Sequence, residues 1–348
     1  MDPLIWMRAI HFAATITVSG AIFFAALIAE PVLRAADHNR DVAVLVRSRL
    51  AWITWIGLLT AVISGTGWLI LLATHMSGLP TKAVLWEGPL WTVLSQTDFG
   101  KVWAARFILA GLLAGALLLP EAGPRLHSRW IRAFTGLLAA SLVGTLAWAG
   151  HAAANFDSDV KGSVQLVGDI LHLIAAAAWV GALLPLALLL GTALRKHDEH
   201  ALEIARAATL RFSTLGIVSV AHLLMTGIYN SWILVGSLRG LLETDYGRLL
   251  LLKLALFLVM LSVAAVNRLR LTPRLVSEDK LFTAWDAAVR LRRNAMIEAT
   301  VGAMIIFIIA VLGTMAPSAD EETVADLRSA VLPHGAHGVM QSVWSASP

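Results

Sequence analysis

Eleven histidines and nine methionines, with no cysteine, hold most of the metal-binding capacity of this 348-residue chain. Without thiols there is neither a disulfide framework nor a thiolate site. Soft-metal chemistry therefore falls to imidazole and thioether. Neutral imidazole is the commonest protein ligand for transition metals. His with Met suits Cu(I), and imidazole also suits Cu(II). Five histidines are singled out by placement: His11, His172 and His222 within long apolar segments, and His75 and His151 at the ends of two others. Met225 follows His222 at i+3, on the same helical face. His38, His127, His197 and His200 lie among basic residues, and His334, His337 and Met340 lie in a glycine-containing C-terminal stretch. A buried histidine also serves as a hydrogen-bond partner between helices, so residue type alone leaves a ligand role and a packing role both open.

The elements that must position these groups are membrane-spanning helices. The chain is 58% hydrophobic and 14% charged, against roughly 25% charged in a soluble domain. A helix needs about 20 apolar residues to cross the hydrocarbon core. Spans are expected at 4–28, 50–73, 103–119, 131–149, 166–190, 211–235, 249–266 and 297–315. Lipid leaves no partner for open backbone groups, and no barrel-like alternation is visible, so the fold is expected to be all-α and integral to the membrane. The first residues, Met1-Asp2-Pro3-Leu4-Ile5-Trp6, lack a basic n-region and no A-x-A-like cleavage site follows, so the first segment is expected to be a retained helix.

Most of the 27 basic residues fall on one side: Arg34, Arg40, Arg47 and Arg49; Arg125, Arg129 and Arg132; Arg195, Lys196, Arg206 and Arg211; and Arg268, Arg270, Arg274, Lys280, Arg290, Arg292 and Arg293. The positive-inside rule makes that side cytoplasmic and both termini outward. The basic balance thus reads as topology with the lipid bilayer as partner, not as nucleic-acid binding. Leu281, Phe282, Trp285 and Val289 recur at helical spacing, predicting a surface helix in the seventh loop.

The two halves resemble one another. His11 precedes Gly20 as His172 precedes Gly181, Thr66-Gly67 matches Thr226-Gly227, and Thr97-Asp98-Phe99-Gly100-Lys101 matches Thr244-Asp245-Tyr246-Gly247-Arg248. The expected organisation is two four-helix repeats in parallel orientation, residues 1–150 and 151–316, followed by a disordered outer tail, 317–348. The repeat predicts His11 and His172 facing one another across a pseudo-two-fold axis, with Arg8 and Asp169, each three residues before its histidine, forming an ion pair between repeats. His222, matched by Val62 in the first half, is open to either a metal or a packing role.

An ordered set of elements in the second half resembles the copper resistance protein D family of bacterial inner-membrane proteins. It comprises Gly150-His151, Asp169 with His172-Leu173 and Trp179-Val180-Gly181, Arg211-Phe212-Ser213, Thr226-Gly227, Tyr246-Gly247 with Leu250 and Lys253, Asn267-Arg268, and Arg292-Arg293 with Glu298. The likeness covers about residues 145–316 well and the first half more loosely. It implies copper tolerance, inward movement of copper, and a separate CopC-like periplasmic copper-binding partner. The family supplies no sharply defined ligand set, so His11, His75, His151, His172, His222 and Met225 stand on residue chemistry alone. A transporter of Cu(I) or Cu(II) is the first expectation. No P-loop or phosphorylation motif points to an ATP-driven enzyme. A b-type haem protein with histidine axial ligands, or a copper sensor or assembly factor, are the alternatives.

Overall fold

A computed structural model describes residues 2–35, 40–119, 125–149, 160–196, 198–235, 237–277 and 281–315. Among them every regular element is helical. Eight helices are long and apolar enough to cross a membrane: α1 Pro3–Ala35, α2 Arg40–Ser77, α3 Asp98–Leu117, α4 Arg129–Ala149, α5 Gly162–Lys196, α6 Glu199–Ser231, α7 Asp245–Val276 and α8 Leu281–Leu312. His38, His151, His197 and the tail bearing His334, His337 and Met340 lie outside the described residues. α1 begins as its sequence dictates: Asp2 caps it, its carboxylate accepting from the Leu4 amide, and Pro3 takes the first turn, where no amide donor is needed.

The eight spans fall where hydropathy puts them, but six run much longer than expected. They hold 32–38 residues, about 48–57 Å of helix against a hydrocarbon core near 30 Å. α1, α2 and α5–α8 thus continue past the bilayer at the arginine-rich end. Segments expected to be loops there are helix. The anticipated surface helix is the first stretch of α8: Phe282 is exposed, while Ala284, Ala287, Ala288 and Leu291 are buried. These extensions persist because they share an apolar core, in which Ile28, Val32, Val46, Leu190 and Leu275 take part. Polar clasps join them. Arg47 donates twice to Glu30, which also pairs with Arg34, and Arg49 donates to Thr192 at 2.7 Å.

α1 and α5 are the most enclosed spans and form the centre. Their backbones meet at Gly20 and Gly181, where a β-carbon on either glycine would overlap the other helix. Small residues permit such approaches, which association in lipid depends on because apolar burial drives little there. α2 and α4 pack on α1, and α3 packs on α4 and α2. α6 leans on α5 and α7 on α8, which leaves space between α6 and α7.

The two T-D-x-G elements adopt the same local structure. Thr97 caps α3 and accepts from the Gly100 amide; Thr244 caps α7 and accepts from the Gly247 amide. Each glycine backs onto a short preceding helix, Pro89–Gln96 or Leu238–Glu243, with no room for a β-carbon. Each acidic residue pairs with the base three residues on, Asp98 with Lys101 and Asp245 with Arg248.

Substituting Gly20→Val is expected to destabilise the bundle by roughly 1–3 kcal/mol through overpacking, seen as a lowered unfolding temperature in detergent. Gly111→Val, where nothing lies within 4 Å of the added carbon, should leave that temperature near wild type. Equal behaviour of the two variants would show that the α1–α5 contact is not close.

Candidate metal site

Helical geometry decides where the two central histidines point. His11 lies nine residues before Gly20, and His172 nine before Gly181. At about 100° per residue, nine residues turn roughly two and a half times, so each histidine emerges on the opposite side of its helix from the glycine. Since the glycines face each other, the histidines face apart. The expected pairing of His11 and His172 across an axis is therefore not formed.

His11 turns into the first half. Its Nδ1 lies 2.9 Å from the Ala61 carbonyl. A carbonyl only accepts, so Nδ1 carries the hydrogen and Nε2 keeps its lone pair. The ring packs against Trp68 and Trp103 and closes on Gly65. Two guanidiniums share this packing. Arg106 lies 4.5 Å over the Trp103 ring and donates to the Thr145 carbonyl at 2.7 Å, while Arg8 lies 5.1 Å over Trp68. Neither belongs to any ion pair among the described residues. The cavity beside His11 is about 10 Å³, the scale of one water. Close packing and two uncompensated positive charges make this a poor seat for a metal cation.

His172 turns toward α6. Its Nδ1 is 2.7 Å from the Thr226 hydroxyl, whose own hydrogen is given to the His222 carbonyl at 2.6 Å. Thr226 must then accept from Nδ1–H, which fixes the tautomer and leaves the Nε2 lone pair free. An oriented imidazole whose second nitrogen is held by a hydrogen bond is the usual form of a metal-ligating histidine. Two cavities meet at this residue. One, of about 210 Å³, lies toward the arginine-poor end and is lined by Arg8, Gln165, Asp169, Asn230, Tyr246 and Lys253. The other, of about 670 Å³, is mostly apolar, runs deeper between α5, α6, α7 and α8, and reaches Met260. Arg8 and Asp169 line the same cavity but do not form the expected ion pair: Asp169 accepts from Asn230, and Arg8 leaves its Nε without a partner.

The remaining candidates stand apart. His75 is exposed at the end of α2. His222 is exposed on α6 with its Nδ1 donating to the Val218 carbonyl at 3.0 Å, and Met225 is 71% exposed. Among the described residues no three His, Asp or Glu side chains converge on one point. Because His11 and His172 open on different cavities, they also frame no bis-histidine haem pocket.

The histidine pattern does not by itself point to Arg106, Lys253 or Asn230. A signal for the first two exists in the repeat. Arg106 and Lys253 each lie nine residues after the capping threonine, Thr97 or Thr244, and an ionisable side chain at such depth is costly enough to mark a site. Arg106 of α3 thus lies near the buried His11, and Lys253 of α7 near the half-buried His172.

Fold and site together define a polytopic helical membrane protein with an intramembrane histidine that opens on a cavity. A family model described as Copper resistance protein D-like, N-terminal domain, matches residues 1–158, and one described as Copper resistance protein D matches residues 206–312. Copper resistance protein D of Pseudomonas syringae pv. tomato is 30% identical over 293 residues, covering 82% of this chain and 88% of that protein. Inner membrane protein YebZ of Escherichia coli (strain K12) is 27% identical over 315 residues, covering 89% and 97%. Copper transport protein CutJ of Bacillus subtilis (strain 168) is 32% identical over 179 residues, 50% of this chain and 31% of that one. No solved structure matches the chain. The chain belongs to the copper resistance protein D family and is a multi-pass inner-membrane protein.

Thr226→Val is expected to lower Cu(I) affinity roughly 10–100-fold by freeing the His172 ring, read by competition with a Cu(I) chelator. Thr66→Val, which loses only a bond to its own helix at Val62, should bind as wild type. Unchanged affinity in the Thr226 variant would remove His172 from the site.

Proposed function

We propose that this protein carries copper across the inner membrane from periplasm to cytoplasm, along a path through α5–α8. The observation that carries this reading is the position of His172, with its Nε2 unengaged, where the polar and apolar cavities join. The arginine-rich end is taken as cytoplasmic by the positive-inside rule, and the membrane potential then drives a cation inward. His75, exposed at the arginine-poor end, and His151, which follows α4 in sequence, are the capture positions. A CopC-like periplasmic protein is the donor that this capture calls for.

From His172 the cargo passes into the deeper cavity, where the Met260 thioether offers a second soft ligand. Such a sequence of imidazole and thioether favours Cu(I) over harder ions. His11 holds α1 to α2 in this scheme, and His222 with Met225 lies off the path on the lipid side of α6. The two halves descend from one four-helix unit in this reading, and only the second retains an open site.

In proteoliposomes, His172→Ala should reduce copper uptake by roughly tenfold or more, whereas His222→Ala should remain within about twofold of wild type. Stoichiometric copper binding by a wild-type protein that moves none would instead favour a sensor or assembly role.

A further inference from the structure

A third cavity, of about 410 Å³, lies beyond Trp179 toward the arginine-rich end and shares Trp179 and Leu224 with the apolar cavity above it. One carboxyl group lines it. Glu298 is 2% exposed and sits on α8. Its Oε1 accepts from Asn267 Nδ2 at 2.6 Å, and Asn267 Oδ1 accepts in turn from Asn294 Nδ2 at 2.7 Å. Asn267 opens a π-helical turn, Asn267–Leu271, in α7, an irregularity frequent at functional sites. The second oxygen of Glu298 has no bonding partner among the described residues.

Among the described residues Glu298 is in no ion pair. The charged group on the cavity wall from α7 is Arg268, whose guanidinium donates to Ser213. α5 and α6 contribute Trp179, Leu183, Thr209 and Phe212 to the wall. A buried charge facing such a surface, with one amide donor, is strongly unfavourable. A protonated carboxyl would avoid that cost. Nor does the cluster suit soft copper. It supplies oxygen only, and both amide oxygen and amide nitrogen of Asn267 are already engaged.

We propose that Glu298 is a proton-carrying site: a neutral acid that releases its proton to, and regains it from, the water at the arginine-rich end through this cavity. In release the carboxyl O–H bond breaks, the proton passes to water at the arginine-rich end and a carboxylate remains. The carboxylate persists only while a cation is nearby, so an arriving cargo ion displaces the proton and its departure restores it. The role in cargo exchange rests on the transport reading above; the proton site itself does not.

Infrared difference spectra of the purified full chain at neutral pH provide the test. Wild type should show the C=O band of a protonated carboxylic acid, shifted in D2O and missing in Glu298→Gln, which preserves the acceptor for Asn267. Asn267→Ala, which removes the donor, should move the same band and serves if the glutamine variant does not fold. Absence of any Glu298-dependent band would overturn the proposal. In vesicles, an imposed pH gradient should alter copper uptake by wild type but not by Glu298→Gln, and equal responses would overturn the exchange role. A wild type with the band but without copper uptake would support the proton site while refuting transport.

Discussion

The contact of Gly20 with Gly181 constrains everything built around it. Two helix backbones can approach this closely only where neither carries a side chain. The contact turns one face of α1 toward one face of α5, and the helical period then decides the rest. His11 is sent into α2 and α3, and His172 into α6. The molecule thus holds two histidine environments back to back, separated by the central pair of helices, instead of one shared site.

Those environments differ. In the first half, tryptophan rings and two arginines fill the space around His11, and cation–π contacts take the place of counter-ions. In the second, Leu250 stands where Trp103 does by the T-D-x-G register, Asp169 stands where Arg8 does, and the interior remains hollow. The smaller side chain leaves room beside His172, and Asp169 sets a carboxylate among the Arg8 and Lys253 side chains that line the same cavity. The register places a basic residue in each half, Arg106 and Lys253, so the two halves differ in volume and net charge more than in residue type.

Much of the fold was legible in the residues. The eight apolar runs and the uneven distribution of arginine define the spans, and the threonine-capped T-D-x-G elements fold alike because their cap and close-packed glycine are local properties. Helix ends were not legible, since hydropathy stops at the lipid boundary whereas helix does not. Glu30, Arg34 and Arg47 read as a polar loop in sequence, yet Glu30 on α1 pairs with Arg34 one turn on and with Arg47 of α2. The candidate site was half legible. His172 stands out by type and depth, but the hydrogen bond that orients its ring comes from Thr226 on α6. Repeat symmetry alone would turn His11 toward His172, but the nine-residue phase between each histidine and its glycine turns them apart.

The crossing of α1 and α5 also has a mechanical meaning. At the crossing itself there are no side chains to interlock, so any rocking of one helix on the other would turn about this point. From Gly20 to Ala35, α1 extends 15 residues, an arm of about 22 Å that includes the π-helical turn Ala25–Ala29. A tilt of ~5° about the crossing would carry the far end of that arm ~2 Å. Since α5 also runs unbroken past the bilayer, to Lys196, the same tilt would widen one end of the bundle as it narrows the other.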